Sequence, residues 1–487
     1  MGFKTDTSFL RFLTMGAVGV RATMDAMRQC GFQPVELERY CTTNKIWMTK
    51  VKRLRLPDLL CVKTGVRVEV RAKSDLKVRM SDAPTNPDRR WDVGLRDEDL
   101  VAFVACNADD VKVEPVGNPI FFSISDLRTS IDSTKLGPPK SASEGAERDR
   151  EWPTTVPNQD GVVLKVDSDS ILTRQASGRH QTYKLKGKQA YVSAGARFIG
   201  GASIIAGMIP GLASLPGVLS LRWEPLDSLK APEPVDRYAA AKAAPFAAGK
   251  DAFKIDRLLS SVGQEDDPRV TLEMAASAAR LGSRSGFEKV IEGVWNNERT
   301  DLRMEAVIIL TELKTEQAAE ELSRIATAKE FSGVEIRQAA VWGLGRAGCR
   351  DYSKLKSFIA DADEGVALHA IGAFDSDVPQ AVIDDLIMML VAGNERERAA
   401  ASEALRMIGS EDVLASLAAV ARSGKAISPW VIATIGRLSA ARVRMALAGD
   451  SLLQQVEPML TISPEENWLS RASLPGDLSF LLMQNLF

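Results

Sequence analysis

Cysteine and histidine, the residues behind much nucleophilic and zinc chemistry, are scarce in this chain of 487 residues. The five cysteines form no CxxC pair, and the two histidines, His180 and His369, lie nearly 200 positions apart. This spacing argues against a disulfide framework, a zinc site and a Ser-His or Cys-His catalytic pair. An odd number of scattered cysteines also suits a reducing cytoplasm. For an enzyme of this composition, carboxylate and metal chemistry is the natural choice.

The chain also lacks a signal peptide of ordinary form, because Asp6 and Arg11 interrupt the first apolar run. One uncharged stretch, residues 198–221, is long enough to span a bilayer. Pro210, Pro216 and five glycines within it would break backbone hydrogen bonding that lipid cannot replace. We therefore expect a cytoplasmic protein that does not enter a membrane.

A β-hairpin with charged residues on one face is predicted near the N-terminus. The runs Leu54–Val62 and Val66–Lys73 are rich in β-branched and apolar residues, and the turn Lys63–Gly65 separates them. Because side chains alternate along a strand, Glu69, Arg71 and Lys73 share one face. Asp58, in the first strand, is predicted to share that face.

Pro57-Asp58, a spacer of ten residues and Glu69-Val70-Arg71 together resemble the motif of the PD-(D/E)XK nucleases, which have the restriction-endonuclease-like fold. The resemblance implies that Asp58, Glu69 and the Val70 carbonyl bind Mg²⁺ or Mn²⁺. It also implies a catalytic set of Asp58, Glu69, Arg71 and Lys73.

The chain departs from the family at the third motif position, where Arg71 replaces the usual lysine. Arginine stays protonated and binds phosphate through its guanidinium fork, so it neutralises charge but accepts protons poorly. Lys73, two residues further on and on the same face, is the candidate for the lysine role. The simpler interpretation is a solvated strand face with paired charges.

The flanking elements are consistent with the family's core. A helix is predicted over Leu13–Gly31, a strand over Pro34–Tyr40 and another over Leu100–Cys106. A second core helix, expected in the family between Lys73 and Leu100, has no clear signal there, and the composition of that segment predicts a long loop.

Positive charge is concentrated in the N-terminal region. Residues 1–99 hold 19 Lys and Arg against 13 Asp and Glu, a net charge of +6, whereas the whole chain carries −2. The run from 39 to 55 is basic, with aromatic residues interleaved, as in segments that contact phosphates and stack on bases. A solvated basic loop is the alternative. The predicted nucleic-acid contacts are Arg39, Asn44, Lys45, Trp47, Lys50, Lys52, Arg53 and Arg55.

The middle of the chain divides into a linker and a β-rich module. Residues 129–160 are rich in Pro, Gly, Ser and charge, which predicts a linker. In 161–234, short β-like runs separated by Gly, Ser and Asp predict a small all-β barrel. The pattern resembles a barrel-sandwich hybrid, which implies a binding or spacing module.

The C-terminal half is rich in Ala and Leu and repeats. Apolar positions recur at steps of 30 to 34 residues, namely Leu281, Leu313, Leu344, Phe374, Ile408 and Leu438. Each unit resembles a HEAT-type helical hairpin, which predicts a solenoid over 235–450 and a capping segment over 451–487. An irregular helical domain is the alternative.

These segments predict a multidomain α+β protein, and the motif resemblance implies that residues 1–128 form a restriction-endonuclease-like α/β domain. The resulting hypothesis is a Mg²⁺-dependent DNA endonuclease of a restriction or anti-phage system, with RNA as a possible substrate. The solenoid would bind substrate, a protein partner or another copy of the chain. The alternatives are a catalytically inactive DNA- or partner-binding scaffold and a pure protein–protein adaptor.

Overall fold

The computed structural model describes residues 7–37, 49, 54–108, 113–140, 147–328, 334–346, 348–423 and 428–460. The protein is a mixed α+β chain, with a strand-rich N-terminal part and a C-terminal run of helices. It divides into two compact units. The first contains residues 1–43 and 52–286, and the second contains residues 44–51 and 287–487.

The first unit is built on an open sheet that follows a long helix, α1. In the described residues the strand order is β1-β2-β3-β5-β6, and β7 also pairs with β5. Strands β1, β2 and β3 are antiparallel, whereas β3 and β5 are parallel. The bounds are α1 Thr7–Gln29, β1 Pro34–Glu36, β2 Leu59–Cys61, β3 Arg67–Lys73, β5 Leu100–Ala108, β6 Val113–Pro115 and β7 Ile120–Ser123.

The predicted hairpin is present, but its first strand is shorter than predicted. Strand β2 begins at Leu59 rather than Leu54, since Pro57 has no amide hydrogen to contribute to a ladder. The turn closes through a hydrogen bond from the Gly65 amide to the Cys61 carbonyl (2.8 Å). Gly65 has φ +71°, and a side chain there would overlap the ring of Trp223. Glycine is therefore required by both the turn and the packing.

Helix α1 covers one face of this sheet. A Cβ placed on Gly19 would lie 2.8 Å from the Cβ of Ala72, so the helix crosses β3 at direct backbone contact. Val68 and Val70 face α1 and belong to its apolar core, together with Met15 and Met27. The alternate residues of β3 are thereby left to the opposite face.

The connection from β3 to β5 contains no α-helix, and every residue of it is described. Its regular elements are β4 (Arg79–Asp82) and a 3₁₀ turn (Pro87–Arg89). Strand β4 pairs with β9 (Arg148–Glu151), which also pairs with β8 (Lys135–Leu136).

The second core of the first unit lies under this added sheet. Trp152 is fully buried against Trp91, with ring centroids 5.0 Å apart, and its indole nitrogen donates to the Leu127 carbonyl in α2 (Ile124–Thr129). The segment predicted as a linker thus contains β8, β9 and a core tryptophan. Its composition reflects tight turns and surface charge rather than a free connection.

The strands predicted between 161 and 211 are present as open sheets. One has the order β13-β12-β11-β15 and another β10-β16-β14, and no closed barrel occurs in the described part of the chain. Their bounds are β10 Thr154–Thr155, β11 Gly161–Val166, β12 Ser170–Gln175, β13 His180–Lys184, β14 Gln189–Ala190, β15 Arg197–Phe198 and β16 Ala206–Gly207. In the same described residues, no helix has the length and apolarity needed to cross a bilayer.

Helices dominate the chain from Pro234 onward, as predicted. The first of them belong to the first unit, after a short helix near residue 215, and α7 spans the boundary between the units. The bounds are α3 Leu215–Val218, α4 Pro234–Ala243, α5 Asp251–Val262, α6 Pro268–Arg280 and α7 Arg284–Trp295.

In the second unit, alternate helices contact one another in chain order. Helix α8 packs on α10, α10 on α12, α12 on α14, α14 on α16 and α16 on α18. Five of the six repeated apolar positions lie at the ends of these helices or within three residues after them, and the other, Leu281, follows α6 of the first unit. The bounds are α8 Thr300–Leu313, α9 Glu316–Thr327, α10 Glu335–Leu344, α11 Tyr352–Lys356, α12 Glu364–Ile371, α13 Gln380–Ala392, α14 Glu395–Ile408, α15 Glu411–Ser423, α16 Pro429–Gly436, α17 Ala440–Ala446 and α18 Ser451–Leu460.

Candidate functional site

The charged face of β3 is the centre of the candidate site. Glu69, Arg71 and Lys73 alternate with residues that pack under α1, so their side chains lie on the other side of the sheet. All three are partly exposed. The face predicted from strand alternation therefore exists and is accessible to solvent.

Asp58 lies across from Glu69. The antiparallel register pairs Leu59 with Val68, and continuing it by one residue places Asp58 opposite Glu69. Its Oδ2 accepts a hydrogen bond from the Val70 amide (2.7 Å). Because the amide and carbonyl of a strand residue point to the same side, we expect the Val70 carbonyl at the same edge of β3 as its amide. The hairpin thus brings two carboxylates and one carbonyl to the same edge of β3.

Glu69 and Arg71 form an ion pair on this face. Arg71 Nη2 lies 2.7 Å from Glu69 Oε1, and the two side chains are 35% and 17% exposed, Arg71 being the more exposed. The pair neutralises the carboxylate with a cation from its own strand. A metal at Glu69 would have to share that carboxylate with the guanidinium or displace it.

Lys73 has an unusual protonation equilibrium. Burial lowers its pKa from 10.5 to about 8, and the nearby charges of Arg71 and Arg79 act in the same direction. Asp149 opposes them, and Lys140 adds a smaller lowering effect. A shift of this size lets a lysine release its proton near neutral pH.

Three of the groups around Lys73 were not predicted from the sequence. Arg79 lies in the segment predicted as a loop, and Lys140 and Asp149 lie in the predicted linker. Lys140 Nζ is 2.7 Å from Asp149 Oδ1, and Arg79 Nη1 is 3.7 Å from Asp149 Oδ2. The pairing of β4 with β9 brings these residues together, and no local pattern encodes that long-range pairing.

A buried charge network fixes the start of β3. Asp99, which has no exposed surface, accepts from the amides of Arg67 (2.9 Å) and Arg96 (2.8 Å). The Arg96 guanidinium donates to the Gly65 carbonyl (2.6 Å), and buried Arg67 forms an ion pair with Asp236 of α4. These contacts position the turn and strand from which Glu69 projects.

The donor atoms at the edge of β3 fit a hard divalent cation. Asp58, Glu69 and the Val70 carbonyl supply oxygen, the donor that Mg²⁺ prefers, and Mg²⁺ commonly binds through one or two carboxylates while keeping several waters. Within the described residues, no group of three or more His, Cys, Asp and Glu side chains is placed to hold a metal. A metal here would therefore depend on water and substrate oxygens for its remaining ligands.

The residues predicted to contact nucleic acid lie largely outside the described residues. Of that set the structure describes Arg55, which is exposed. The rest lie outside the description, namely Arg39, Asn44, Lys45, Trp47, Lys50, Lys52 and Arg53. Thr49, within the same basic run, donates from its amide and hydroxyl to Glu335 Oε2 at 2.8 and 2.6 Å.

No family model and no curated protein matches the chain. Similar solved structures include that of the Escherichia coli protein YibA, at 14% identity and a TM-score of 0.27, over 54% of this chain and 91% of that one. An engineered protein is similar at 14% identity and a TM-score of 0.23, over 51% of this chain and 80% of that one.

Proposed function

We propose that the first unit is a metal-dependent DNA endonuclease of the PD-(D/E)XK type, of the kind found in restriction and anti-phage systems. The observation that carries the proposal is the hairpin register, which sets Asp58 opposite Glu69 with Lys73 further along the same face. Two carboxylates can bind a divalent metal, and a lysine of lowered pKa can act as a general base, which are two roles that serve phosphodiester hydrolysis.

The strand arrangement supports the same proposal. A helix, three antiparallel strands and then a strand parallel to the third follow in the order expected of the family's core. The departure is the connection between β3 and β5, where β4 and its partner β9 stand in place of a second core helix. This difference alters one wall of the site and leaves the hairpin unchanged.

Asp58, Glu69 and the Val70 carbonyl would hold Mg²⁺ or Mn²⁺. When bound, such an ion lowers the pKa of a coordinated water and offsets charge on the scissile phosphate. Asp58 is already oriented by the Val70 amide, and Glu69 by Arg71. The protein therefore positions both carboxylates before any ligand arrives.

Lys73 and Arg71 would share the role of the family's single motif lysine, with Lys73 accepting a proton and Arg71 binding the phosphate. With a pKa of about 8, roughly a tenth of Lys73 is neutral at pH 7, against well under a thousandth for an ordinary lysine. The neutral amine can accept a proton from the attacking water. Arg71, which stays charged, is suited to clamp a phosphate oxygen.

The other parts of the chain would hold the substrate or a partner. We propose that residues 235–450 form a HEAT-type solenoid, because alternate helices of the second unit, from α8 onward, stack in chain order and apolar positions recur every 30 to 34 residues. It would bind DNA, a protein partner or a second copy of the chain. The small β module, which consists of open sheets, would act as a binding or spacing element.

Plasmid cleavage with added Mg²⁺ or Mn²⁺, and with EDTA, tests the catalytic proposal. We expect Asp58→Asn and Glu69→Gln each to lower the cleavage rate about 10³-fold, because a metal supplies several kcal/mol of transition-state stabilisation. Lys73→Met should cost about 10² to 10⁴-fold. Asp75→Asn is the matched control, since Asp75 is 72% exposed and pairs with Lys77 just after β3.

The inactive scaffold is the second candidate, and the Arg71–Glu69 ion pair favours it. In a site that has lost its activity, Arg71 would neutralise Glu69, and no metal would be needed there. If the purified protein binds DNA but cuts neither DNA nor RNA with either metal, and Asp58→Asn changes nothing in cells, the scaffold replaces the nuclease.

A further inference from the structure

A basic cluster lies beside the candidate site, on the sheet that replaces the second core helix. Lys140 Nζ contacts Asp149 Oδ1 (2.7 Å) and donates to Ser81 Oγ (2.8 Å). Arg79 approaches the other oxygen of Asp149 at 3.7 Å, which is an ion pair but too long for a hydrogen bond. The cluster therefore places two cations on one internal carboxylate.

Arg79 is incompletely satisfied in this arrangement. Its Nε is buried and has no hydrogen-bond partner among the described residues, and an unsatisfied buried donor costs free energy. The side chains of Arg79, Lys140 and Asp149 are nevertheless 34%, 43% and 35% exposed. A ligand from solvent can reach all three.

Local charge favours an anionic ligand. Lys73 lies close to this cluster, because the charges of Arg79, Lys140 and Asp149 all act on its pKa, and the charge of Arg71 acts on the same lysine. Partial burial would raise the pKa of Asp149, but the hydrogen bond and charge of Lys140, with the charges of Arg79 and Lys73, hold that pKa below its ordinary value. Asp149 thus stays ionised and neutralises part of the positive charge.

We propose that Arg79 and Lys140 form a second phosphate subsite beside Lys73, and that Asp149 occupies it as an internal counter-anion until a phosphodiester binds. The ligand is a backbone phosphate of a polynucleotide strand, next to the one at Glu69 and Arg71. This inference rests on the proposed function for its ligand. It adds that the β4–β9 pair binds the polynucleotide backbone and that the charge of Asp149 limits the affinity of that binding.

The fork of Arg79 and the ammonium of Lys140 suit this role. A guanidinium donates two parallel hydrogen bonds to phosphate oxygens, and a lysine adds a compact charge. A bound phosphate competes with Asp149 for both cations, so its affinity is reduced by the strength of those interactions. Removing the carboxylate charge should tighten binding, and removing the cations should weaken it.

Fluorescence anisotropy of the full chain with labelled DNA and RNA duplexes of one sequence, in EDTA across a salt series, tests the subsite. The double substitution Arg79→Gln/Lys140→Gln should weaken binding about tenfold or more. It should also flatten the log–log salt slope by about 0.9 for each DNA phosphate that the variant no longer neutralises. Its matched control is Lys165→Gln/Lys184→Gln, which removes two exposed cations that pair with Asp167 and Asp169.

Asp149→Asn provides an independent test, because its expected effect on DNA affinity is opposite to that of the double variant. It should tighten binding several-fold, whereas the control Asp169→Asn, at an exposed ion pair, should leave binding within about twofold. If these substitutions change the affinity for the RNA duplex more than that for the DNA duplex, the inference stands and RNA is the source of the phosphate. Weakening no greater than the control's, or no tightening by Asp149→Asn, overturns it.

The same variants separate this inference from the proposed function. If wild type binds but does not cut, and Arg79→Gln/Lys140→Gln weakens binding, the subsite stands and the nuclease falls. If Asp58→Asn abolishes cleavage while the Arg79/Lys140 double variant binds and cuts as wild type does, the nuclease stands and the subsite falls.

Discussion

The lowered pKa of Lys73 can be measured directly. We expect this lysine to titrate near pH 8, because burial and the charges of Arg71 and Arg79 lower its pKa from the ordinary 10.5. Reductive methylation with ¹³C-formaldehyde gives each lysine an NMR signal that follows its own titration. The Lys73 signal is assigned as the one that is missing in Lys73→Arg.

The structure sets the size of the accompanying stability effect. One pKa unit corresponds to about 1.4 kcal/mol, so a native value of about 8 against 10.5 gives at most about 3.5 kcal/mol. Between those two values the unfolded chain holds more protons on Lys73 than the native chain does. Stability therefore rises with pH in this window and is lowest below pH 8. Lys73→Met should remove this dependence and exceed wild type in urea midpoint at pH 7.

Neighbouring groups provide the controls. Lys77 should titrate above 10.5, because its hydrogen bond and ion pair with Asp75 raise its pKa. Arg79→Gln should move the Lys73 midpoint upward by less than the full shift, since burial is the larger cause. A Lys73 midpoint at or above about 10 would mean that its amine is fully solvated, which would contradict the burial of this side chain.

Two further predictions concern what holds the site in place. Gly19→Val should destabilise the chain by about 1 to 3 kcal/mol, because the valine side chain would overlap Ala72. A melting temperature at or above that of wild type would contradict this packing. Gly16→Ala is its control, since nothing lies within 4 Å of a Cβ there, and it should stabilise the helix by about 0.5 to 1 kcal/mol. Arg67→Met should cost about 3 kcal/mol in urea denaturation, because it leaves Asp236 without its buried partner, and a loss below about 1 kcal/mol would refute that.

The hairpin could be predicted from the sequence because its determinants are local. Strand alternation alone puts Glu69, Arg71 and Lys73 on one face, and the structure has β3 at Arg67–Lys73. The C-terminal helices were predictable for a related reason, since the same apolar pattern recurs at a nearly constant step. The roles of the basic run at 39–55 stay predictions.

The wall of the site could not be predicted in the same way. Strand β9 has the sequence RDRE, with no apolar alternation to mark it as a strand, and its register with β4 depends on residues far apart in the chain. Trp152, fully buried, follows a stretch whose Pro, Gly and Ser content indicated a linker. Composition reports the freedom of the local backbone, and it carries no information about a distant partner strand.

The pairing of β4 with β9 also has a consequence for how the protein is made. Asp82 in β4 and Arg150 in β9 form a buried ion pair although 68 residues separate them. At about 5 to 20 residues per second, roughly 3 to 14 seconds of translation pass between them. Throughout that interval the edge of β4 is unpaired and open to other strands. A chain cut at residue 128 would stay in that state permanently, so we expect it to aggregate, whereas one extended past Trp152 can close the sheet.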